Sequence, residues 1–230
     1  MHTNHTTPQI SRRSLLRISL AAAAGGGALA LAACTTDTAT TPTSRPTTMP
    51  DSTTTTGSER RLLLAYFSRA GENYWHGGRR NLTVGNTQVL AGMIADRVDC
   101  DLYRIEAADP YSDDYDDTVA RNVAEQNAHA RPRIAKPLPR LAGYDDIILA
   151  SPIWNVRPPM IMSTFLDQVD LTGKRLFPVV TYAVSGLGQT VQAYTALAPN
   201  ASIGRALAVQ GEDVAHSSDN VNAWASSVGP

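Results

Sequence analysis

Three polar segments of the chain carry side chains suited to gripping a planar, anionic small molecule. The first begins with Ser68-Arg69-Ala70-Gly71, runs through a polar excursion and closes on Gly85-Asn86-Thr87. Hydroxyls and small residues at the start of a helix let backbone N–H groups converge on an anion. A capped helix without ligand accounts for the same residues equally well. The second is Ser151-Pro152-Ile153-Trp154-Asn155, followed by Val156-Arg157-Pro158-Pro159. A tryptophan on a proline-stiffened loop suits stacking on a flat aromatic ligand; a core tryptophan sealing a sheet edge is the competing reading. The third, Val184-Ser185-Gly186-Leu187-Gly188, has two glycines that permit close backbone approach to a heteroaromatic edge. By itself it reads as an ordinary strand-to-helix turn.

Positioning these segments requires a frame, and the hydrophobic pattern supplies one. Leu62 to Phe67 and Ile147-Ile148-Leu149-Ala150 are apolar runs of the kind covered on both faces. Leu102, Tyr103 and Ile105, then Leu176 to Thr181, then Arg205 to Val209 read as three more strands. Between them, helical spacing appears at Val89, Leu90, Met93, Ile94 and Val98 with Asn86 and Thr87 as caps, and at Tyr115, Val119 and Val123. It recurs after Pro158-Pro159 through Phe165 and Val169, over Thr190 to Leu197, and more weakly over Val214 to Val228. Strands alternating with helices predict an α/β fold with a parallel sheet and right-handed crossovers. Ligands of such sheets bind beyond the C-terminal strand ends, which is where all three polar segments fall.

The whole-chain composition of 20 basic and 21 acidic residues hides three zones. Residues 1–33 contain no acid and hold Arg12, Arg13 and Arg17; without them 17 basic and 21 acidic residues remain. That mild acidity leaves no electrostatic footprint for nucleic acid. Ser11-Arg12-Arg13-Ser14-Leu15-Leu16 has a twin-arginine pattern, and the uncharged stretch from Ile18 to Ala33, 16 residues, is short for a membrane span. Its end, Leu31-Ala32-Ala33-Cys34, resembles the lipobox of bacterial lipoproteins, which predicts lipidation at Cys34. Residues 35–58, with 12 threonines and 3 prolines, form a polar tether in this reading, and residues 60–230 form the folded domain. Cys100, then without a partner, is expected to be a buried and inert thiol.

Several chemistries find no support. Gly-x-Ser-x-Gly is absent, so a serine hydrolase has no nucleophile elbow. Ser151-Pro152 stands where a receiver domain would place its phospho-acceptor aspartate. His76, His129 and His216 are isolated, with no metal-ligand spacing.

Taken in order, Ala65-Tyr66-Phe67-Ser68-Arg69, Gly85-Asn86-Thr87, Tyr144-Asp145-Asp146-Ile147-Ile148-Leu149, Ser151-Pro152-Ile153-Trp154 and the segment from Phe165 to Lys174 resemble the flavodoxin-like family. The resemblance spans residues 60 to about 228. It implies a five-stranded parallel sheet in the order 2-1-3-4-5 and one bound FMN. It further implies phosphate contacts from Ser68, Arg69, Gly85, Asn86 and Thr87. Pro152, Ile153, Trp154 and Asn155, with Val184, Ser185, Gly186, Leu187 and Gly188, would flank the ring. The sequence departs from the family in one place: a segment with Asn73, Tyr74, Trp75, His76, Arg79 and Arg80 separates Ser68 from Gly85. It is either a lid over the cofactor or an exposed hairpin, and either Ala70-Gly71 or Val84-Gly85 fills the phosphate turn. The resulting expectation is an FMN-dependent electron carrier or oxidoreductase, lipid-anchored outside the cytoplasmic membrane. Its partner would be a redox protein or a small acceptor such as a quinone. The alternative is a binding lipoprotein that kept the fold without its flavin.

Overall fold

A computed structural model describes residues 61–228, so the twin-arginine segment, Cys34 and the threonine-rich stretch lie outside the described residues. The chain runs β1 (Leu62–Phe67), β2 (Gly71–Trp75), β3 (Gly78–Leu82), α1 (Asn86–Ala95), β4 (Asp101–Ile105) and α2 (Tyr115–Asn127). It continues through β5 (Asp146–Pro152), α3 (Met160–Gln168), β6 (Arg175–Tyr182), α4 (Thr190–Leu197), β7 (Ser202–Ile203), β8 (Leu207–Gln210) and α5 (Ser218–Ala225). The main sheet has the order β4-β1-β5-β6-β7, with β8 also paired to β6, and every pairing is parallel. This is the 2-1-3-4-5 arrangement of a flavodoxin-like three-layer sandwich.

Strand alternation sends successive residues to opposite faces, and each face has its own core. Leu62 and Leu64 of β1 join Leu90 and Ile94 of α1, Phe177, Val179 and Trp224 of α5 on one side. Leu63, Ala65 and Phe67 join Ile161 and Phe165 of α3, Leu176 and Tyr194 of α4 on the other. Burial on both sides is why β1, β5 and β6 are nearly continuous apolar runs. At the opposite end of the sheet from the polar loops, Arg175 grips the buried Asp146 carboxylate through Nε at 2.9 Å and Nη2 at 2.6 Å. This two-pronged pair ties β6 to β5.

One sequence expectation, the cap of α1, needs correction, and two others gain detail. Asn86 and Thr87 do not cap α1; Gly85 is the N-cap and they form the first turn. The helix expected at Tyr115, Val119 and Val123 is α2, which buries a polar face and leaves Val119 and Val123 42% and 40% exposed. Thr118, Asn122 and Glu125 are the buried residues, and Thr118 Oγ1 donates to Ser112 O over 2.9 Å. The helix start, obscured in the sequence by its aspartates, is set by Asp114, whose side chain accepts the Asp117 N–H at 2.9 Å. The strand expected at Arg205 to Val209 is β8, Leu207–Gln210, and the two-residue β7, Ser202–Ile203, precedes it. Gly204, Arg205 and Ala206 lie between the two, and a Cβ at Gly204 would lie 2.5 Å from the Phe177 ring.

Candidate functional site: a cleft at the C-terminal strand ends

A cleft opens where β1, β5 and β6 end, with an enclosed volume of about 100 Å³ that widens into solvent. Each wall has a different origin. The end of β1 gives Ser68 and Arg69, the first turn of α1 gives Asn86 and Thr87, and the end of β5 gives Pro152, Ile153 and Trp154. β6 contributes Thr181, Tyr182 and Ala183, and the short helical turn after β8 contributes Gly211 and Glu212.

Local contacts fix these walls. Ser68 Oγ accepts the Gln88 N–H at 3.0 Å, which locks β1 against the start of α1. The close approach is possible because residue 85 is glycine: a Cβ there would collide with the Arg69 carbonyl and lie 2.5 Å from Ser68 Oγ. Gly85, not Gly71, therefore fills the turn at the helix start. The first N–H groups of a helix have no intrahelical acceptor, so those of Asn86 and Thr87 are donors at this end of the cleft. Thr87 Oγ1 and Thr181 Oγ1 are 2.7 Å apart and buried, bridging α1 to β6. One hydroxyl proton closes that bridge and the other remains a donor.

Among the described residues, Arg69 is the one cation bound into the cleft wall near the helix start. Nη1 donates to Ser112 O over 2.7 Å, Nη2 donates to Glu72 O, and Nε is buried with no acceptor among the described residues. Burial draws the guanidinium pKa below its usual value, against the opposing pull of Asp113, Asp114 and Glu72. The group nonetheless stays charged at neutral pH.

Trp154 belongs to the core and to the cleft at once. Its ring meets Phe67 edge-on at 5.6 Å and Tyr111 at 5.1 Å, and it also lines the cleft. Both readings of this residue therefore hold part of the truth. The loop around it is a tight turn in which Trp154 and Arg157 exchange backbone hydrogen bonds of 2.8 and 3.2 Å. The two central residues, Asn155 and Val156, have φ of +48° and +60°. Asparagine tolerates that conformation; a β-branched valine does so only under strain.

The segment Gly71–Leu82 is a hairpin, β2 paired antiparallel to β3, and it overhangs the cleft. Asn73 and Tyr74 line the cleft, whereas Arg79 and Arg80 are exposed, so the segment is both a partial cover and a surface ribbon. Its tip is latched by the His76 N–H donating to Glu212 Oε1 at 3.0 Å. Its flank is tied by the Glu72 N–H to Asp113 O at 2.8 Å and by the exposed Arg79–Asp116 pair.

Of the residues singled out in the sequence, Ser68, Arg69, Asn86, Thr87, Pro152, Ile153 and Trp154 meet in this cleft. Asn155 is turned to a neighbouring hollow. Val184, Ser185, Gly186, Leu187 and Gly188 do not line the cleft. Their loop packs on the Trp154–Arg157 turn, where the Gln189 N–H donates to Val156 O at 2.8 Å and Arg157 Nε to Gln189 Oε1 at 2.7 Å. Gly188, at φ +49°, has no room for a side chain against the Val156 carbonyl. Thr181, Tyr182 and Ala183 take the expected place of that loop. Glu212 was invisible to sequence reasoning, since an isolated glutamate before a weak helix carries no signal of burial.

A family model described as flavodoxin matches residues 81–228. The chain belongs to the flavodoxin family. Solved structures agree with that assignment. A putative flavoprotein from Bacteroides uniformis is 27% identical, with 72% of this chain and 97% of that one covered at a TM-score of 0.58. A putative flavoprotein from Bacteroides eggerthii is 24% identical over 70% and 97% of the two chains, with a TM-score of 0.55. A flavoprotein from Lactobacillus acidophilus, solved in complex with FMN, shares the fold at 18% identity, 68% and 97% coverage and a TM-score of 0.50. No curated protein matches the chain in sequence.

FMN is the cofactor that membership of the flavodoxin family assigns, and the cleft has the donor chemistry for it. The phosphate end would find the α1 N-terminus, a spare hydroxyl proton and the unsatisfied Nε of Arg69. The narrow approach at Gly211, where a Cβ would lie 2.5 Å from Asn86 Nδ2, leaves backbone rather than side chain along one side. These features fit an elongated ligand with an anion at one end and a flat ring at the other.

Proposed function

We propose that this flavodoxin-family protein binds FMN in the cleft and works as an electron carrier or an FMN-dependent oxidoreductase. In this reading it is held at the outer face of the cytoplasmic membrane through lipidated Cys34. The observation that carries the proposal is the convergence of the α1 start and the ends of β1, β5 and β6 on one cleft, bridged by the Thr87–Thr181 hydroxyl pair. When bound, the flavin ring supplies the electron or hydride chemistry; the protein's share is to bind, orient and shield it. Ser68, Asn86 and Thr87 would hold the phosphate, with Arg69 Nε supplying a charged donor nearby. Pro152, Ile153 and Trp154 would cover the ring on one side, and Thr181 to Ala183 would offer polar and small groups at its edge. Tyr74 and Asn73 of the hairpin exclude water above the cleft. Support for export comes from the twin-arginine pattern and the lipobox-like Leu31-Ala32-Ala33-Cys34.

Natively exported protein should be yellow, and denaturation should release a chromophore whose mass is that of FMN. The FMN-free protein should quench added FMN fluorescence in a saturable titration. Colourless protein that leaves FMN fluorescence unchanged overturns the proposal. For location, Cys34→Ala should move the protein from the membrane fraction to the soluble one.

A further inference from the structure

The β2–β3 hairpin is held unevenly. Its base and flank are fastened: the Glu72 N–H donates to Asp113 O at 2.8 Å, Arg69 Nη2 donates to Glu72 O, and Arg79 pairs with Asp116. Its tip is a two-residue turn, His76-Gly77, between the paired Trp75 and Gly78, with φ of +46° and +83°. Positive φ at both central residues matches the twist of the flanking strands, so the ribbon is a stiff unit. Among the described residues, a single hydrogen bond ties that tip to the rest of the domain, from the His76 N–H to Glu212 Oε1.

Glu212 is placed to do more than hold the hairpin. It is 7% exposed and lines the cofactor cleft beside Gly211, which is pressed against the Asn86 side chain at the α1 start. No cation pairs with its carboxylate among the described residues. Its second oxygen, Oε2, takes no hydrogen bond from those residues and is not sealed from solvent. A carboxylate so nearly buried, with one neutral donor, favours an occupant that brings further donors. Phosphate oxygens cannot serve, since they only accept and carry like charge. Hydroxyls can, and the part of FMN that adjoins its phosphate is a polyol chain.

We propose that Glu212 is the latch through which the occupant of the cleft closes the hairpin, Oε2 taking a hydroxyl of the ligand's polyol chain while Oε1 holds the His76 N–H. The identity of the polyol rests on the FMN reading. A hydroxyl on Oε2 fixes the carboxylate's rotamer, so the His76 N–H meets an acceptor already in place. Linkage makes the effect mutual: the closed hairpin strengthens polyol binding by the same factor. Asn73 and Tyr74 come down over the cleft with the tip, and release of the ligand then waits on this bond.

The test follows the His76 amide by hydrogen exchange and measures affinity for FMN, riboflavin and lumiflavin, the last being the same ring without the polyol. In flavin-free protein, Glu212→Ala should speed His76 exchange roughly tenfold, the size expected for one lost hydrogen bond. In the wild type, FMN and riboflavin should slow that amide and lumiflavin should leave it unchanged. Glu212→Ala should weaken riboflavin roughly tenfold and lumiflavin not at all. Riboflavin is the cleaner ligand here, because removing a carboxylate also relieves its repulsion of the FMN phosphate. Should the alanine variant fail to fold, Glu212→Gln, alike in shape but uncharged, should weaken riboflavin several-fold and spare lumiflavin. The inference is overturned if His76 exchange is indifferent to Glu212→Ala or if lumiflavin slows it as riboflavin does. It is also overturned if the substitution weakens both ligands alike, which would place the ring N–H on Glu212. Any of these results alongside FMN binding removes the latch and leaves the cofactor reading standing. Failure of every flavin to bind, with a His76 amide that still depends on Glu212, overturns the cofactor reading and the polyol with it.

Discussion

Gln126 of α2 holds the turn that carries Trp154: its Nε2 donates to the Trp154 carbonyl at 3.0 Å, and its Oε1 accepts from Asn155 Nδ2 at 2.9 Å. One side chain thus reads two consecutive residues of a loop whose backbone is strained. Gln126→Ala should cost about 1 kcal/mol of stability, the net worth of such hydrogen bonds, and should also weaken FMN binding several-fold by loosening Trp154. Denaturant unfolding and fluorescence titration measure the two effects separately. Unchanged FMN affinity would show that the Phe67 and Tyr111 contacts alone suffice to place the tryptophan.

Trp154→Ala removes the ring from cleft and core together. FMN affinity should fall by about 1–3 kcal/mol from lost stacking and burial. Trp154→Phe should recover a large part of that loss. A flavin affinity indifferent to both changes would confine the residue to its packing role with Phe67 and Tyr111.

Val156 occupies φ +60° while its side chain is exposed, so nothing in the core compensates for the strain. Val156→Asn should stabilise the protein by roughly 1 kcal/mol, at the low end of the range for such backbone strain. The midpoint of urea unfolding is the readout, and a lower midpoint contradicts the account.

Gly85→Ala introduces a methyl group where the Arg69 carbonyl and Ser68 Oγ already lie. The two segments must part, at a cost of about 1–3 kcal/mol. FMN binding should fail before folding does, because the displaced residues are those proposed to hold the phosphate. Wild-type affinity in this variant would remove them from that role.

Cys100 is half-buried beside the first core cluster, and burial, with Asp99 and Asp101 adding to it, pushes its thiol up to about 11. The fold favours the neutral thiol, so this contribution to stability is complete below the unfolded-state pKa. It is lost as pH rises from near 9 toward about 11. Iodoacetamide should label folded protein far more slowly than unfolded protein at pH 8, since the thiolate is the nucleophile. Equal rates would show an open, reactive thiol.

How much of this was legible in the sequence follows from where each residue gets its neighbours. β1, β5 and β6 announce themselves because covering on both faces demands unbroken apolar runs. Ser68, Asn86, Thr87 and Trp154 were legible because strand ends of a parallel sheet must converge. Val119 and Val123 announced α2 but not its buried face, because a helix packed through Thr118, Asn122 and Glu125 inverts the usual apolar stripe. Thr181 to Ala183 looked like the end of a strand and nothing more, and the buried positions of Asn122 and Glu212 depend on partners distant in the chain. The short β7 ahead of the last strand carried no signal, and the need for glycine at 204 lies in the Phe177 ring.

The break between β7 and β8 also matters for how the molecule behaves in a crowd. A border made of two residues, a three-residue break and four more presents no long rail of open amide and carbonyl groups on which a stray ribbon from another molecule could dock and zip. A protein built this way guards that flank of its sheet against self-stacking by interruption rather than by charge.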